Sequence, residues 1–412
     1  MVEAAILHDQ AARGATGPKR ALAAATIGLA FGISATATSS FNTFILPLAH
    51  AFGWPRGDVA FAMMVLNLVT IVSAPVCGWL IDRVGLRRVL LPSVALFGLG
   101  WLLLSLIGAE IWQLYLGYAF VGAGGIGTSS VAYSRLIVPW FPIHQGRALG
   151  VALAGMGIGV AVIPVVTQGL IMVAGWRAAY RVLALIVTIP TLMLLIPWAR
   201  DPKPVSVAAH SSHQLPGLSF GEAMKSRSAV LLFLTFPLLG LLTGAIATHL
   251  VPLIVDRGLT ATQASLMTSI LGLSLIVGRV AIGWLLDRLF APMLMGAVIA
   301  VTVVGLIVLL SATSPLWIMV AIFLIGFAIG ADGDFLAFLV SRYIGLRAFS
   351  RVLGFQFSAF AFGLSFGPAL MGVSANMTGG YSLALEVLIG TTTLAILPIA
   401  FLGPYPDAPM RR

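Results

Sequence analysis

The sequence predicts an all-α membrane protein, with twelve transmembrane helices in two pseudo-symmetric six-helix bundles and both termini cytoplasmic. Three observations carry this expectation. The 412 residues are 59% hydrophobic and only 9% charged, with a mean hydropathy of +1.05, whereas a soluble domain carries roughly 25% charged residues. The apolar residues fall in runs of membrane-spanning length, and the second half of the chain repeats the first.

A bilayer crossing takes about 20 mostly apolar residues. Twelve such runs lie near 21–49, 58–81, 89–108, 112–138, 148–174, 178–198, 229–255, 262–286, 292–311, 316–341, 352–375 and 380–402. The polar stretch from Arg200 to Ser228, holding Pro, Ser and His residues, divides them into two sets of six. The expected organisation is a tail at 1–20, a bundle at 21–199, a cytoplasmic linker at 200–228, a second bundle at 229–402 and a tail at 403–412. Lys19 and Arg20 precede the first run as they would in a signal peptide. That run is too long for a signal core and is needed by the repeat, so it reads as a permanent helix.

Lys and Arg accumulate in cytoplasmic loops. With the amino terminus inside, seventeen of the twenty-three basic residues fall on the cytoplasmic side: Arg13, Lys19, Arg20, Arg83, Arg87, Arg88, Arg147, Arg200, Lys203, Lys225, Arg227, Arg288, Arg342, Arg347, Arg351, Arg411 and Arg412. Only Arg56, Arg177, Arg181 and Arg257 fall outside, while Arg135 and Arg279 lie within apolar runs.

The same reading excludes several function classes. The net charge of +10 sits in loops rather than in a basic stripe interleaved with aromatics, so nucleic acid is not an expected partner. Cys77 is the single cysteine, and no His/Cys ligand spacing or nucleophile constellation occurs. No metal, cofactor or enzyme activity is expected. Gly122–Gly127 and Gly155–Gly159 lie inside apolar helices without a preceding strand, so they serve close helix approach rather than phosphate binding.

The repeat is explicit. Pro47-Leu48 recurs as Pro252-Leu253, Gly53 as Gly258, and Gly78–Arg83 as Gly283–Arg288, each 205 positions on. Arg147, Gly150, Gly159 and Pro164 recur as Arg351, Gly354, Gly363 and Pro368, 204 positions on. Two similar bundles joined by a linker are what alternating access about a midplane site requires. Symmetric residues then serve the rocking, and asymmetric polar residues serve the cargo.

That rule isolates three side chains. Arg279 stands where the first half has Ala74, and Asp332 and Asp334 stand where it has Thr128 and Ser130. Arg279 lies eight residues before Asp287, about 12 Å from the helix end. A charge at that depth is costly unless paired or hydrated, arginine cannot discharge itself, and its fork suits a carboxylate. The expectation is a substrate-anion anchor, weighed against a permanent ion pair with an acid of the run 316–341. Asp332 and Asp334 point about 200° apart around their helix, so at most one fully faces a cavity. A buried carboxyl beside a cation is poised between losing and holding its proton. Proton coupling by one of them is expected, with Asp334 the first candidate. The alternative is that both neutralise Arg279 or cap loosened turns. Tyr133 and Arg135 are further candidates for the substrate site, although Arg135 is near enough to Trp140 to snorkel and Tyr133 equally reads as packing. His249 reads as a core or gate residue.

Gly78-Trp79-Leu80-Ile81-Asp82-Arg83-Val84-Gly85-Leu86-Arg87-Arg88 resembles the loop motif that follows helix two in the major facilitator superfamily, with a weaker copy at Gly283–Arg288. The resemblance implies the major facilitator fold. It also implies that Asp82, Arg83, Asp287 and Arg288 make cytoplasmic contacts holding an outward-open state. Trp140-Phe141-Pro142, Arg147-Ala148-Leu149-Gly150 and Ala154-Gly155 resemble the monocarboxylate transporter and oxalate–formate exchanger group. Gly330-Ala331-Asp332-Gly333-Asp334 with Ser341-Arg342-Tyr343 resembles its bacterial members. By that resemblance Arg279 matches the arginine that binds substrate carboxylate. The acid some members carry one turn earlier is Leu275, no lysine occurs in 352–375, and Pro164 follows Ile163 rather than a glycine as in drug antiporters.

The sequence therefore leads us to expect a proton-coupled symporter for a small organic monocarboxylate, multi-pass in the cytoplasmic inner membrane and acting as a monomer. The alternatives are an organic-anion exchanger of the same fold without proton coupling, and, behind it, a drug efflux protein.

Overall fold

The structure, a computed structural model, describes residues 16–198 and 217–406. Arg13, Arg200, Lys203, Arg411 and Arg412, which helped to orient the sequence, lie outside the described residues. Within them the chain is helical, with no strand beyond an isolated bridge between Gly217 and Gly345. In lipid each backbone polar group must be satisfied inside its own segment, which a helix does.

The first half comprises α1 (Thr16–Ala30), α2 (Ser39–Phe52), α3 (Arg56–Val84), α4 (Leu86–Leu104), α5 (Ile111–Gly125), α6 (Ser130–Ile137) and α7 (Gln145–Trp198). A short helix, α8 (Phe220–Lys225), lies in the stretch read as linker. The second half comprises α9 (Arg227–Asp256), α10 (Ala261–Leu286), α11 (Ala291–Ser311), α12 (Pro315–Tyr343), α13 (Phe349–Thr378), α14 (Ser382–Leu394) and α15 (Ile396–Ala400).

Among the described residues ten helical spans are long and apolar enough to cross a membrane. Two local breaks separate this number from the twelve expected runs. Gly175, with φ 80° and ψ 167°, interrupts the 54 residues of α7, which unbroken would reach about 80 Å, more than twice a bilayer core. Residues 111–137 are split by a 3-10 turn at Ile126–Thr128 and an extended Ser129 (φ −83°, ψ 173°), so α5 alone is short.

The first span carries its own irregularity, a π-helical turn at Ser34–Thr38 between α1 and α2. The two loosened turns meet: the Ile33 N–H donates to Thr128 Oγ1 at 3.0 Å. Irregular turns inside helices leave backbone groups for side chains or ligands to satisfy and cluster at functional sites. Around the linker and at the start of α10 side chains cap the helices: Ser219 with Glu222 and Thr260 with Gln263 form capping boxes at α8 and α10, and Ser226 caps α9.

One end of the molecule gathers α8, the Gly217–Gly345 bridge and the last described residues. There the Tyr343 hydroxyl donates to the Gly403 carbonyl at 2.5 Å, and Ala291 N–H donates to Tyr405 Oη at 2.9 Å. We call this the linker end and the opposite one the far end. Apolar packing differs between them. At the linker end one cluster joins both halves, with Ala74, Ile81, Leu149 and Leu153 packed in the same core as Ile282, Leu286, Leu336 and Val352. At the far end each half keeps its own core, around Phe44, Trp101 and Tyr180 in the first and Leu250, Leu306 and Leu385 in the second. Burial therefore welds the halves together at the linker end only.

Candidate functional site

The weld is reinforced by two charge-capped helix ends. Asp82, at the end of α3, accepts from the Ser350 N–H at 3.3 Å and the Arg351 N–H at 2.9 Å, at the start of α13. Asp287, just past α10, accepts from the Gly146 N–H at 2.6 Å and the Arg147 N–H at 3.1 Å, at the start of α7. The Arg147 Nε–Asp287 Oδ2 ion pair adds a contact at 3.0 Å. Each carboxylate thus meets the positive end of a helix from the opposite half, where free N–H groups and the helix dipole both favour an anion. Gly78 and Gly283 permit it. A Cβ at Gly78 would strike the Ser350 carbonyl, and one at Gly283 the Gly146 carbonyl.

Asp82 and Asp287, expected as gating residues, bridge the two halves. Arg83 and Arg288, grouped with them, do not: each lies over a tryptophan one turn back on its own helix, at 5.0 Å from Trp79 and 3.4 Å from Trp284. The donors to these two carboxylates are instead Arg147 and the backbone of 146–147 and 350–351. The sequence carried a signal for this, since Arg147 and Arg351 are themselves a repeat pair.

On the far side of this seal, between the halves, lies a cavity of about 310 Å³. The second half contributes Arg279 and Leu275 from α10, Asp332 from α12, Thr243 from α9, and Phe357 and Phe360 from α13. The first half contributes Ser34 and Thr38 from the π turn, Asn67 and Thr70 from α3, Ser130 from α6, and Leu153 and Met156 from α7. The charged groups of the wall come from the second half, and the first half offers neutral polar and apolar side chains.

Arg279 is 8% exposed. Its Nη1 donates to the Leu153 carbonyl of the other half at 3.0 Å, and among the described residues no carboxylate lies within 4 Å of it. Asp334 and Asp332 are the acids whose charge acts on it from further away. The permanent ion pair considered from sequence is thus absent among the described residues. Asp332 lines the cavity, and its Oδ2 accepts from Thr243 Oγ1 at 3.2 Å. Asp334 is not among the residues lining this cavity; it is fully buried, and neither carboxyl oxygen has a hydrogen-bond partner among the described residues. Of the two acids it is Asp332, not the first candidate Asp334, that meets the cavity.

Tyr133 and Arg135 are not brought to the cavity wall. Tyr133 is fully buried, its hydroxyl lies against Gly28, and it has no hydrogen-bond partner among the described residues. Arg135 lies toward the linker end, near enough to Asp82 for its charge to act there. Both follow Ser129, whose extended backbone redirects the helix and so changes which face meets the cavity. His249 pairs with Thr248 and packs on Tyr381 away from the cavity wall.

The Major Facilitator Superfamily profile matches residues 27–368. A Bacillus subtilis (strain 168) protein described as an uncharacterized MFS-type transporter, YcxA, is 25% identical over 371 residues, 85% of this chain and 87% of its own. Monocarboxylate transporter 13 of Bos taurus is 26% identical over 382 residues, 90% of this chain and 87% of its own. Among solved structures, the human organic anion transporter MFSD10 (TETRAN) aligns over 93% of this chain and 99% of its own, with a TM-score of 0.70 and 16% identity. The Escherichia coli fucose:proton symporter FucP aligns over 93% and 98%, with a TM-score of 0.69 and 14% identity. At such identities these structures speak for the fold alone. The family match spans most of both repeated halves and the cavity between them, and the chain belongs to the major facilitator superfamily.

Proposed function

We propose that this multi-pass membrane transporter carries a small organic monocarboxylate by alternating access, as a proton symporter. One observation carries the reading: a buried guanidinium stands on the wall of a cavity between the halves, and among the described residues no carboxylate is bonded to it. A charge buried there calls for a partner, and Asp334 and Asp332 act on it only from a distance, which leaves its fork open to a bonded anion. The relatives named monocarboxylate transporters support the same cargo.

With the linker end sealed, the anion enters from the far end and its carboxylate takes the bidentate face of Arg279. The Leu153 carbonyl, which holds that guanidinium now, is the group the carboxylate competes with. Once Arg279 is neutralised by cargo, it no longer supports a negative charge on Asp332, and Asp332 takes a proton. Arginine, cargo carboxylate and protonated Asp332 then sum to no charge, which lowers the cost of crossing between states. Asp82 and Asp287 release their helix ends as the halves rock.

In this reading the linker end faces the cytoplasm, because the described basic residues Arg83, Arg87, Arg88, Arg147, Lys225, Arg227, Arg288, Arg342, Arg347 and Arg351 gather there. Twelve crossings follow, with α7 supplying two and α5 with α6 supplying one, so both termini are cytoplasmic. The bundles 21–199 and 229–402 are the moving bodies, joined by 200–228, and the carrier is a monomer in the inner membrane. It is not an enzyme.

The test is uptake of a labelled carboxylate panel into proteoliposomes, with and without an imposed pH gradient. Arg279→Gln is expected to reduce carboxylate uptake to background. Wild-type rates in that variant would refute the anchor.

A further inference from the structure

Asp334 is a buried acid that the transport cycle does not use. It has no exposed surface, and both of its carboxyl oxygens lack a hydrogen-bond partner among the described residues. Buried polar atoms are nearly always bonded, so a carboxyl held unbonded in one state calls for a partner that arrives in another.

The packing of α10 on α12 places that partner. Both helices run from the far end to the linker end, and glycines bring them close. A Cβ at Gly326 would strike the Ser274 side chain, and one at Gly330 the Leu275 backbone. Four residues further along the two helices stand Asp334 and Arg279. Residues four apart share a helix face, so Asp334 is turned toward α10 at the depth of Arg279. Their charges act accordingly. Of the two acids near Arg279, Asp334 acts on it the more strongly, and among the described residues Arg279 is the charged group that acts on Asp334. The two are nonetheless not bonded in this state, because the guanidinium donates to the Leu153 carbonyl of α7 at 3.0 Å.

Leu153 touches both sides of this pair. Its carbonyl takes the guanidinium, and its side chain lies beside Gly333, the neighbour of Asp334, 3.8 Å from where a Cβ would stand. α7 belongs to the first half, whereas α10 and α12 both belong to the second. When the halves part at the linker end, Leu153 leaves with its helix, while Asp334 stays with Arg279. A buried guanidinium cannot lose its proton, so once the carbonyl is gone it needs another acceptor. The acid at its own depth on the neighbouring helix offers two unused oxygens.

Resting on the carboxylate reading of Arg279, we infer that Asp334 is the positioning residue that releases the cargo. As the linker end opens, the Arg279 fork turns from the Leu153 carbonyl to Asp334, and the Asp334 carboxylate displaces that of the cargo. On the far side the cargo competes with a neutral carbonyl. On the linker side it competes with a carboxylate, whose hydrogen bonds to a guanidinium are roughly twice as strong. The anion is therefore held tightly where it enters and weakly where it leaves.

The experiment reads the opening of the linker end without cargo, in the purified full-length protein. The probe is the alkylation rate of Ser341→Cys in a Cys77→Ala background, since the Ser341 hydroxyl is buried against Gln145 of the other half at 2.5 Å. Asp334→Asn is expected to slow alkylation about tenfold, because the open state loses a hydrogen bond between charged groups. In an Arg279→Gln background the same substitution is expected to change the rate by less than about twofold, the limit of independent sites. A carboxyl that merely burdens the sealed state by being buried would act equally in both backgrounds. Thermal melting checks that each variant is folded, and Asp334→Leu, of similar volume, repeats the cycle if the amide misfolds.

A rate unchanged by Asp334→Asn, or slowed equally with and without Arg279, would overturn the inference. Uptake of the labelled carboxylate panel by Arg279→Gln separates the two levels. Uptake lost there while the coupling is absent keeps the anchor and removes Asp334 from the cycle. Uptake retained there would sink the carboxylate reading and the release role together.

Discussion

Replacing Asp287 with Asn tests the seal at the linker end. The carboxylate is 2% exposed and accepts two backbone N–H groups and the Arg147 guanidinium, whose own side chain is 44% exposed. The exposed ion pair contributes little, since solvent screens it to about 0–1 kcal/mol. The backbone bonds matter more, because hydrogen bonds to a charged group are worth about 1.5–3 kcal/mol each and roughly twice a neutral one. Asparagine keeps the shape and one acceptor oxygen, so the loss is about 2–3 kcal/mol of closed-state stability, most of it from the helix end. That shifts the balance toward the linker-end-open state roughly 30- to 150-fold. The readout is alkylation of a cysteine placed at Ser358, whose hydroxyl now donates across the interface to the Ile71 carbonyl at 2.6 Å, in a Cys77→Ala background. The rate is expected to rise by that factor in Asp287→Asn and again when Asp82→Asn is added, the two caps being separate sites. Labelling no faster than in the unaltered background would show that the caps do not hold the halves together.

Asp332→Asn is expected to abolish accumulation driven by a pH gradient while substrate exchange continues, measured in proteoliposomes; undiminished accumulation would move the proton elsewhere. Tyr133→Phe removes a buried hydroxyl without a partner, so uptake is expected to stay at the wild-type level, with a melting temperature unchanged or slightly higher; loss of uptake would return Tyr133 to the site. Glu222, exposed on α8, is held below the usual carboxylate range by the Ser219 hydroxyl and N–H that it accepts. Its contribution to the cap is therefore present above the ordinary glutamate pKa and lost as pH falls through the depressed one. A carboxyl titration by NMR is expected to move up in Ser219→Ala, and an unmoved midpoint would refute the capping account.

Much of the architecture was legible because it is periodic or additive along the chain. Hydropathy sums within a window, so the helical runs and their approximate ends could be read without contacts, and the offsets of 205 and 204 exposed the duplication. Helix ends drifted where one residue decides the backbone. Gly175 and Ser129 break or bend helices that the apolar pattern runs straight through. The depth of Arg279 was likewise readable from spacing. Its partners were not, and neither was the separation of Arg83 and Arg288 from the contacts made by Asp82 and Asp287.

By itself, then, the sequence determined that this protein is built for lipid, that it is two copies of one helical unit, and that the second copy holds a cation and two acids the first lacks. Only the tertiary structure decided that Asp332 and not Asp334 meets the cavity. It alone set Arg279 against the Leu153 carbonyl rather than an acid. The physical reason is distance along the chain. Hydropathy and spacing act within a helix turn or two, whereas the partners of Arg279, Asp82 and Asp287 lie more than a hundred residues away, so their pairing is set by how packed helices meet.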